Sequence, residues 1–432
     1  MKTLIKNGTI YLEGELCPLD LLIKDDQIQM LGQDLADEVS YDEAIDATGQ
    51  LVTPGLIDPH VHYREPGQTE KETIHTGTKA AAHGGFTTVG AMPNVTPVPD
   101  TPERLDAMQS LNETNGIVHV KQFGTLTHGL QSEALVDFQS LKDHGAFAFS
   151  NDGSGVQTAG TMYDAMEQIA KLNLTLAAHV QDDSLSRKGV MTAGERQMEL
   201  NLPGQLPESE TSQLARDLLL AEATGCHYHV CHISTAASLD LVRWAKQRGI
   251  PVTCEVTPHH LLFSDQDVTS DNPLLKMNPP LRSEFDRQAL LAGLIDGTIN
   301  CIATDHAPHT IEEKSGSMQT ATFGIIGSDF AFALLYTHLV ETGLLPLTTL
   351  LEKMTTGPAN AFQLTNVGQL LPGMPADIVL FDLNQSWTIE RDTIYSKAMN
   401  TPHLGETVQG LTTHTIVSGK TVYTNQDGFL VQ

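Results

Sequence analysis

The feature that most constrains the fold is a set of eight short apolar runs, each about the length of one buried strand. Amphipathic segments with helical spacing, for example 209–224 and 235–248, separate most of them. Strands buried on both faces that alternate with helices are typical of a parallel sheet. Eight such units in about 250 residues predict a (β/α)₈ barrel, in which catalytic side chains follow the carboxyl ends of the strands. The runs are 55–62, 86–91, 117–123, 146–150, 174–180, 227–233, 250–256 and 299–304.

Both ends of the chain are rich in strand-type segments and turns. Near the start, Asp25 and Asp26 separate two such segments as a hairpin turn would. We predict an α/β fold in which 1–52 and 367–432 pair into a small β-sandwich domain, while 53–366 form the barrel. Within the barrel, the capping-box spacing of Thr69 and Glu72 predicts the start of an Ala-rich helix that stops at Gly84.

An acidic composition and few cysteines limit the functions that the chain can have. Lys and Arg number 25 against 53 Asp and Glu, so the formal net charge is −28. Such a surface repels nucleic acid and anionic membranes, and we expect neither as a partner. Five cysteines, mostly in apolar runs, fit reduced thiols in a cytoplasmic protein. We expect no signal peptide, and no run reaches the ~18 apolar residues of a membrane span.

Side chains that can bind a metal follow most of the apolar runs. The first run ends in His60 and His62, and side chains two apart on a strand point the same way. An isolated pair of this kind is more often an ordinary strand end, but other runs end similarly. Imidazole and carboxylate ligands suit Zn²⁺, and one bridging carboxylate would allow two ions. The further candidates at run ends are Asp152, His179, His232 and Asp305, with Asp152 in position to bridge.

The tract 226–232 offers a competing metal site, because it contains Cys226, His227, His229, Cys231 and His232. A structural zinc site usually needs two ligand pairs separated by a loop. Here the residues follow one extended run, so that alternate side chains face opposite ways. We therefore expect only the last histidine of the tract to face the carboxyl end of the barrel.

Several motifs resemble the long bacterial dihydroorotases of the cyclic amidohydrolase superfamily, nearly from end to end. This resemblance implies zinc-dependent, reversible hydrolysis of the cyclic amide of (S)-dihydroorotate to N-carbamoyl-L-aspartate. That reaction is the third step of de novo pyrimidine biosynthesis. The motifs are 55–67, 84–94, 255–260, 276–282, 303–309 and 373–377.

The resemblance also implies roles for individual residues. Asp152 and a hydroxide would bridge two zinc ions in each subunit, and Asp305 would move a proton from the hydroxide to the leaving ring nitrogen. The implied ligands are His60, His62 and Asp305 for one ion, and His179 and His232 for the other. The implied substrate contacts are His62, Arg64, Asn94, Asn278, His309 and the backbone at Phe323 and Gly324.

Some of these residues have simpler interpretations. Arg64 could form a surface ion pair with Glu65 or Glu70. Asn94 and Asn278 adjoin prolines, as turn residues often do. The polar loop 310–322 fits either a lid over the site or an ordinary barrel loop.

The sequence departs from related proteins at three places near the expected site. These are Asn151, the pair at 180–181 and the pair at 328–329, where relatives often carry Asp, Cys-Glu and Leu-Glu. Because none is an implied ligand, the departures affect only the expected support around the ligands.

Two rival functions differ in what the sequence should contain. Hydantoinases, dihydropyrimidinases and allantoinases typically bridge their metals with a carboxylated lysine at the end of the fourth strand. The run 145–152 contains no lysine, and Lys142 precedes the strand. An inactive homologue that only supports aspartate carbamoyltransferase would usually lose metal ligands, whereas all six are present. We expect a homodimer, and association with aspartate carbamoyltransferase stays open.

Overall fold

The computed structural model describes residues 1–131 and 133–431, and its first part is a set of five strands, of which the first three pair antiparallel and the last two pair parallel with the first. Positions 132 and 432, which the predicted domain ranges include, lie outside the described residues. The first two strands pair antiparallel with a register shift between Ile5 and Gly8. Lys24 pairs with Gln27 in the following hairpin, which confirms the predicted turn at Asp25 and Asp26. The strands are β1 (Lys2–Leu12), β2 (Glu15–Lys24), β3 (Gln27–Gly32), β4 (Glu43–Asp46) and β5 (Leu51–Pro54).

Eight parallel strands then form a closed barrel, one in each predicted apolar run. They are hydrogen-bonded in two arcs, one made of the first three barrel strands and one made of the last five. Bridges between Gly124 and Phe149 and between Val61 and His306 close the ring. The predicted barrel is therefore confirmed. The strands are β6 (Leu56–Val61), β7 (Phe86–Ala91), β8 (His119–Gln122), β9 (Ala148–Ser150), β10 (Thr175–Ala178), β13 (His227–Val230), β14 (Val252–Val256) and β15 (Cys301–Ile302), with a small ribbon of β11 (Met191–Thr192) and β12 (Gly204–Gln205) between β10 and β13.

Helices follow most of the barrel strands. The predicted helices at 209–224 and 235–248 are α8 and α9, and the Thr235 side chain caps α9 by accepting from the Ser238 amide. The helices are α1 (Leu35–Glu38), α2 (Ile74–His83), α3 (Pro102–Asn115), α4 (Phe138–Asp143), α5 (Ala159–Leu172), α6 (Asp183–Ser186), α7 (Glu195–Glu199), α8 (Glu208–Thr224), α9 (Ala236–Gln247), α10 (Pro258–Leu262), α11 (Glu284–Ile295), α12 (Ala331–Leu335), α13 (Leu347–Met354) and α14 (Thr356–Ala361). Within the described residues, no helix combines the length and hydropathy that crossing a membrane would require.

The start of α2 differs from the prediction. Thr69 lies in a turn, and Thr73 is the N-cap residue, whose side chain accepts from the Thr76 amide at 3.1 Å. Glu72 is instead fully buried, and its carboxylate accepts from the Lys397 amide at 3.1 Å. The predicted capping box was wrong because Glu72 bonds to a segment 325 residues away, which local spacing does not reveal.

The last strands join the first ones in a single sheet. β16 pairs antiparallel with β5, so that Ile378 lies opposite Pro54. Ile28 of β3 and Ile416 of β17 share one buried apolar cluster, which shows that the sheet curves over itself. This arrangement fits the predicted sandwich built from both chain ends, whereas the domain boundaries stay a prediction. The strands are β16 (Ile378–Thr388), β17 (Thr407–Val417), β18 (Lys420–Thr424) and β19 (Gly428–Phe429).

Candidate metal centre and substrate cavity

Asp152 lies at the centre of the ligand-type side chains at the carboxyl end of the barrel. Its Oδ2 atom is 3.4 Å from the Nε2 atoms of both His60 and His62. Its Oδ1 atom is 3.4 Å from Nε2 of His232 and 3.6 Å from Nδ1 of His179. Each oxygen of one carboxylate therefore faces a different pair of histidines.

Asp305 completes the first of these two groups. Its Oδ1 atom lies 3.0 Å from Nε2 of His62 and 3.5 Å from Nε2 of His60. Asp305 has a φ of +49° and His232 a φ of +31°, in the left-handed region that residues other than glycine seldom adopt. Such strain is often found at functional sites, where it directs a side chain toward the site.

The electrostatics of the cluster favour added positive charge. Burial would lower the pKa of His60, but Asp152 and Glu255 hold that pKa well above its usual range. Burial would likewise raise the pKa of Asp152, but His60 and His232 hold it well below the usual range. The carboxylates are therefore ionised and attract cations toward a cluster whose side chains are buried.

The contacts of the ring nitrogens fit metal ions. His179 Nδ1 and His232 Nε2 lie 2.9 Å apart, although at most one of them can carry the proton of a hydrogen bond. Among the described residues, Nε2 of His60 and Oδ1 of Asp152 are buried without a hydrogen-bond partner. Ligand atoms within 4.8 Å of one another include the groups His60–His62–Asp305 and Asp152–His179–His232. This donor set suits metal coordination better than a network of hydrogen bonds.

A cavity of about 310 Å³ opens above the cluster. All seven residues implied as substrate contacts line it, with Thr322 and Ala307 beside them. The implied contacts that line the cavity are His62, Arg64, Asn94, Asn278, His309, Phe323 and Gly324.

Arg64 is buried in this cavity rather than exposed at the surface. Its Nε–H donates to the carbonyl of Pro308 at 3.2 Å, and burial lowers its pKa to about 10. The Glu65 carboxylate instead accepts from the amide of Ile74 at 2.8 Å. The surface ion pair considered for Arg64 is therefore not formed.

The two asparagines contact the ligand cluster. Asn94 Oδ1 lies 2.8 Å from Nδ1 of His62. Asn278 Nδ2 lies 3.1 Å from Nε2 of His179 and donates to Oε1 of Gln181 at 2.8 Å. Both side chains thus do more than form turns beside prolines.

His309 bonds to the loop that forms one wall of the cavity. Its Nε2 atom lies 2.8 Å from the carbonyl oxygen of Phe323. Burial and the nearby Arg64 lower its pKa to about 3, so the ring is neutral near pH 7.

The competing zinc tract does not assemble. Among the described residues, no group of ligand atoms close enough for one metal contains more than one member of 226–232. His227 is 3.0 Å from the Nε2 atom of Gln363, at the opposite end of the barrel from His232. His306 also turns away from the cluster, and its Nε2 lies 3.3 Å from a carboxylate oxygen of Glu72.

Three polar residues near the cluster were not predicted to support the ligands, and His229 was considered only for the competing tract. Glu255 and His229 lie beneath it, and Gln205 donates to Oε1 of Gln181 at 3.1 Å. The sequence does contain a signal for Glu255. It is a charged residue inside an apolar run, and buried carboxylates are rare unless paired. The partners of Gln205 depend on a loop ribbon whose position the sequence pattern does not give.

Comparison with known proteins assigns the chain to a class and then to a family. A family model described as Dihydro-orotase-like matches residues 49–238, and one described as Amidohydrolase family matches 285–423. The L-hydantoinase (dihydropyrimidinase) from Arthrobacter aurescens has a TM-score of 0.90 at 24% identity, covering 100% of this chain and 97% of that one. The fold and the amidohydrolase match define a cyclic amidohydrolase, a class for which a metal cofactor is implied.

Relatives of high identity give the family. The dihydroorotase of Ligilactobacillus salivarius (strain UCC118) is 58% identical, covering 99% of this chain and 100% of the relative. That of Lactiplantibacillus plantarum is 57% identical, covering 98% of this chain and 99% of the relative. The chain belongs to the dihydroorotase family.

Proposed function

We propose that the chain catalyses the reversible hydrolysis of dihydroorotate to N-carbamoyl-aspartate with two zinc ions. His60, His62 and Asp305 would hold one ion, His179 and His232 the other, and Asp152 would bridge them. The observation that carries this proposal is the position of the Asp152 carboxylate between two pairs of histidines. Each of its oxygens lies about 3.5 Å from the ring nitrogens of one pair.

The cavity has the chemistry to bind an anionic ring. We assign the substrate carboxylate to Arg64, whose guanidinium can pair with both carboxylate oxygens. Its Nε–H is already bound to Pro308, so the plane of the guanidinium is held before substrate enters. Asn94 would add a hydrogen bond to the carboxylate, His309 would contact it beside Arg64, and Asn278 and the backbone at 323–324 would contact the ring.

The reaction divides between the metals and the side chains. Bound zinc would supply a Lewis acid for the scissile carbonyl and lower the pKa of water. Asp305 is ionised, because neighbouring histidines hold its pKa below the usual range despite burial. It would accept the proton of the attacking hydroxide and pass it to the leaving ring nitrogen.

The hydantoinase alternative lacks its bridging residue. Lys142 lies in α4, and its Nζ donates to the carbonyl of Leu172 at 3.0 Å, near the amino-terminal end of β10. The residues that line the cavity include arginine but, within the described part of the chain, no lysine. A likeness in fold to hydantoinases at about a quarter identity does not outweigh these differences.

Zinc analysis of the purified protein together with substrate assays tests the proposal. We expect about two zinc ions per chain and turnover of dihydroorotate well above that of hydantoin or dihydrouracil. Asp305→Ala should abolish turnover. Stoichiometric zinc with hydantoin turnover and none of dihydroorotate would overturn the substrate, and an active Asp305→Ala would overturn the assigned base.

We further infer a cytoplasmic homodimer. All five cysteines are free, four of them buried, which fits a reducing compartment. Light scattering would measure the mass, and repeating it with aspartate carbamoyltransferase would test association. A metal-free, inactive protein that bound the transferase would instead support the purely structural role.

A further inference from the structure

Glu255 lies directly beneath the ligand cluster, at the carboxyl end of β14. The side chain is fully buried, and each of its oxygens contacts a histidine. Oε1 lies 2.6 Å from Nδ1 of His60, and Oε2 lies 3.0 Å from Nε2 of His229. Since an ionised carboxylate only accepts hydrogen bonds, both ring nitrogens must carry the proton.

The same carboxylate contacts both halves of the proposed metal centre. The backbone N–H of His232 donates to Oε1 of Glu255 at 3.3 Å, from a residue with a φ of +31°. His60 belongs to one group of ligands and His232 to the other. One buried side chain is thus bonded to a ligand residue of each group.

His229 contacts Oε2 of Glu255, the oxygen that does not contact His60. It lies on β13, is fully buried, and its Nδ1 is 2.8 Å from the Oγ1 atom of Thr253 on the neighbouring strand. A threonine hydroxyl can donate to or accept from that nitrogen, so the Nε2 proton stays directed at Glu255. His227, two residues earlier, reaches Thr253 as well, at 3.2 Å, but does not contact Glu255.

We propose that His229 is a positioning residue for the metal centre, acting through Glu255. By fixing the carboxylate, His229 keeps the Nδ1 proton of His60 on the side of Glu255, which leaves the Nε2 lone pair for a metal. Loss of the His229 donor would free one carboxylate oxygen in the dry barrel interior and let Glu255 rotate. This inference rests on the proposed function, since it concerns the same ligands.

Three variants of the full-length zinc-loaded protein test it. In His229→Leu the donor is absent, in His229→Gln a donor remains near the position of Nε2, and His227→Gln is the matched control on the same strand. We would measure zinc affinity by chelator competition, kcat and KM for dihydroorotate, and thermal unfolding. Zinc affinity should fall about 10- to 100-fold in His229→Leu, as other changes behind metal ligands do.

The pattern across the variants separates positioning from packing. We expect His229→Leu to lower kcat about 10-fold or more with KM changed less than about 3-fold, because the substrate contacts are untouched. His229→Gln should stay within about 5-fold of wild type in zinc affinity and kcat, and His227→Gln within about 2-fold. Wild-type zinc affinity in folded His229→Leu, or an equal loss in His229→Gln, would overturn the proposal.

If His229→Leu does not fold, a comparison of His229→Asn with His229→Gln tests the proposal instead. Asn is polar like Gln but too short to reach Glu255, so His229→Asn should lose zinc affinity where His229→Gln retains it. Equal affinities in these two folded variants would reject the positioning role. If the wild type binds zinc but does not hydrolyse dihydroorotate, the proposed substrate fails, whereas the order of zinc affinities still decides the role of His229.

Discussion

The Nε–H of Arg64 donates to the carbonyl of Pro308 at 3.2 Å, across 244 residues of sequence. The bond joins the end of the first barrel strand to the segment after the eighth, where the ring closes. It holds a buried cation on the wall of the cavity, beside the ionised Asp152 and Asp305. An acidic chain can in this way offer a local positive site to an anionic substrate.

Arg64→Lys should weaken recognition of the substrate carboxylate while keeping the positive charge. A lysine cannot bond to Pro308 and to both carboxylate oxygens at once. We expect kcat/KM for dihydroorotate to fall about 10- to 100-fold, as expected for loss of hydrogen bonds to a charged group. The matched substrate is dihydrouracil, which lacks the carboxylate and should lose less than about 3-fold. Equal losses of kcat/KM for the two substrates would show that Arg64 does not bind the substrate carboxylate.

Asp152→Asn should disrupt both groups of ligands at once. Each oxygen faces a different histidine pair, and an amide nitrogen cannot replace either oxygen as a metal ligand. We expect loss of about one zinc ion or more per chain and a fall in kcat of about 100-fold or more, beyond the cost of changes behind ligands. Metal analysis beside the activity assay measures both effects. Asp164→Asn, an exposed change on α5, is the control, and full zinc content in Asp152→Asn would contradict the bridging role.

The ligand cluster could be anticipated because two simple rules determine it. Parallel barrel strands present their carboxyl ends at one face, and side chains two apart on a strand point the same way. His60 and His62 satisfy both rules. Each run contains one strand, so residues just past the runs had to approach one another, although their distances were not predictable.

The supporting contacts depend on the register between neighbouring strands. His229 reaches Thr253 because these two residues are paired in the β13–β14 ladder. Gln181 meets Asn278 across 97 residues, through two loops. The apolar pattern of a strand says which face is buried but not which residue of the next strand lies opposite. Glu72 was misread as a cap for a different reason, because its carboxylate accepts from the Lys397 amide, 325 residues away in the sequence.

Lys314→Met should loosen the loop 310–322 without changing its apolar packing. The buried Nζ of Lys314 donates to the carbonyls of Lys276 and Thr322, both at 3.0 Å. Losing both bonds leaves the Thr322 carbonyl unpaired next to Phe323, at a cost of about 1–3 kcal/mol if it stays buried, whereas the Lys276 carbonyl keeps its bond from the Gly324 amide. We expect faster proteolysis within the loop and a KM about 3- to 10-fold higher, because Phe323 lines the cavity.

Glu312→Gln, an exposed change in the same loop, is the control for Lys314→Met. It removes a charge but neither of the two lysine bonds. If proteolysis is faster but KM is unchanged, the loop is an ordinary connection rather than part of the substrate site. That result would decide between the two interpretations of 310–322.

His227 should make the fold sensitive to mild acid. Burial, with a smaller effect of His229, lowers the pKa of His227 to about 4, against about 6.5 in an unfolded chain. Between these values the unfolded chain binds the extra proton, so stability falls as the pH falls from about 7 to 4. This group alone should cost about 2 kcal/mol on going from pH 7.5 to pH 5.

Urea unfolding at both pH values measures the loss in wild type and in His227→Gln. The variant should lose about 2 kcal/mol less than wild type, whatever its stability at pH 7.5. Equal losses in the two proteins would mean that His227 is protonated as readily in the fold as in the unfolded chain.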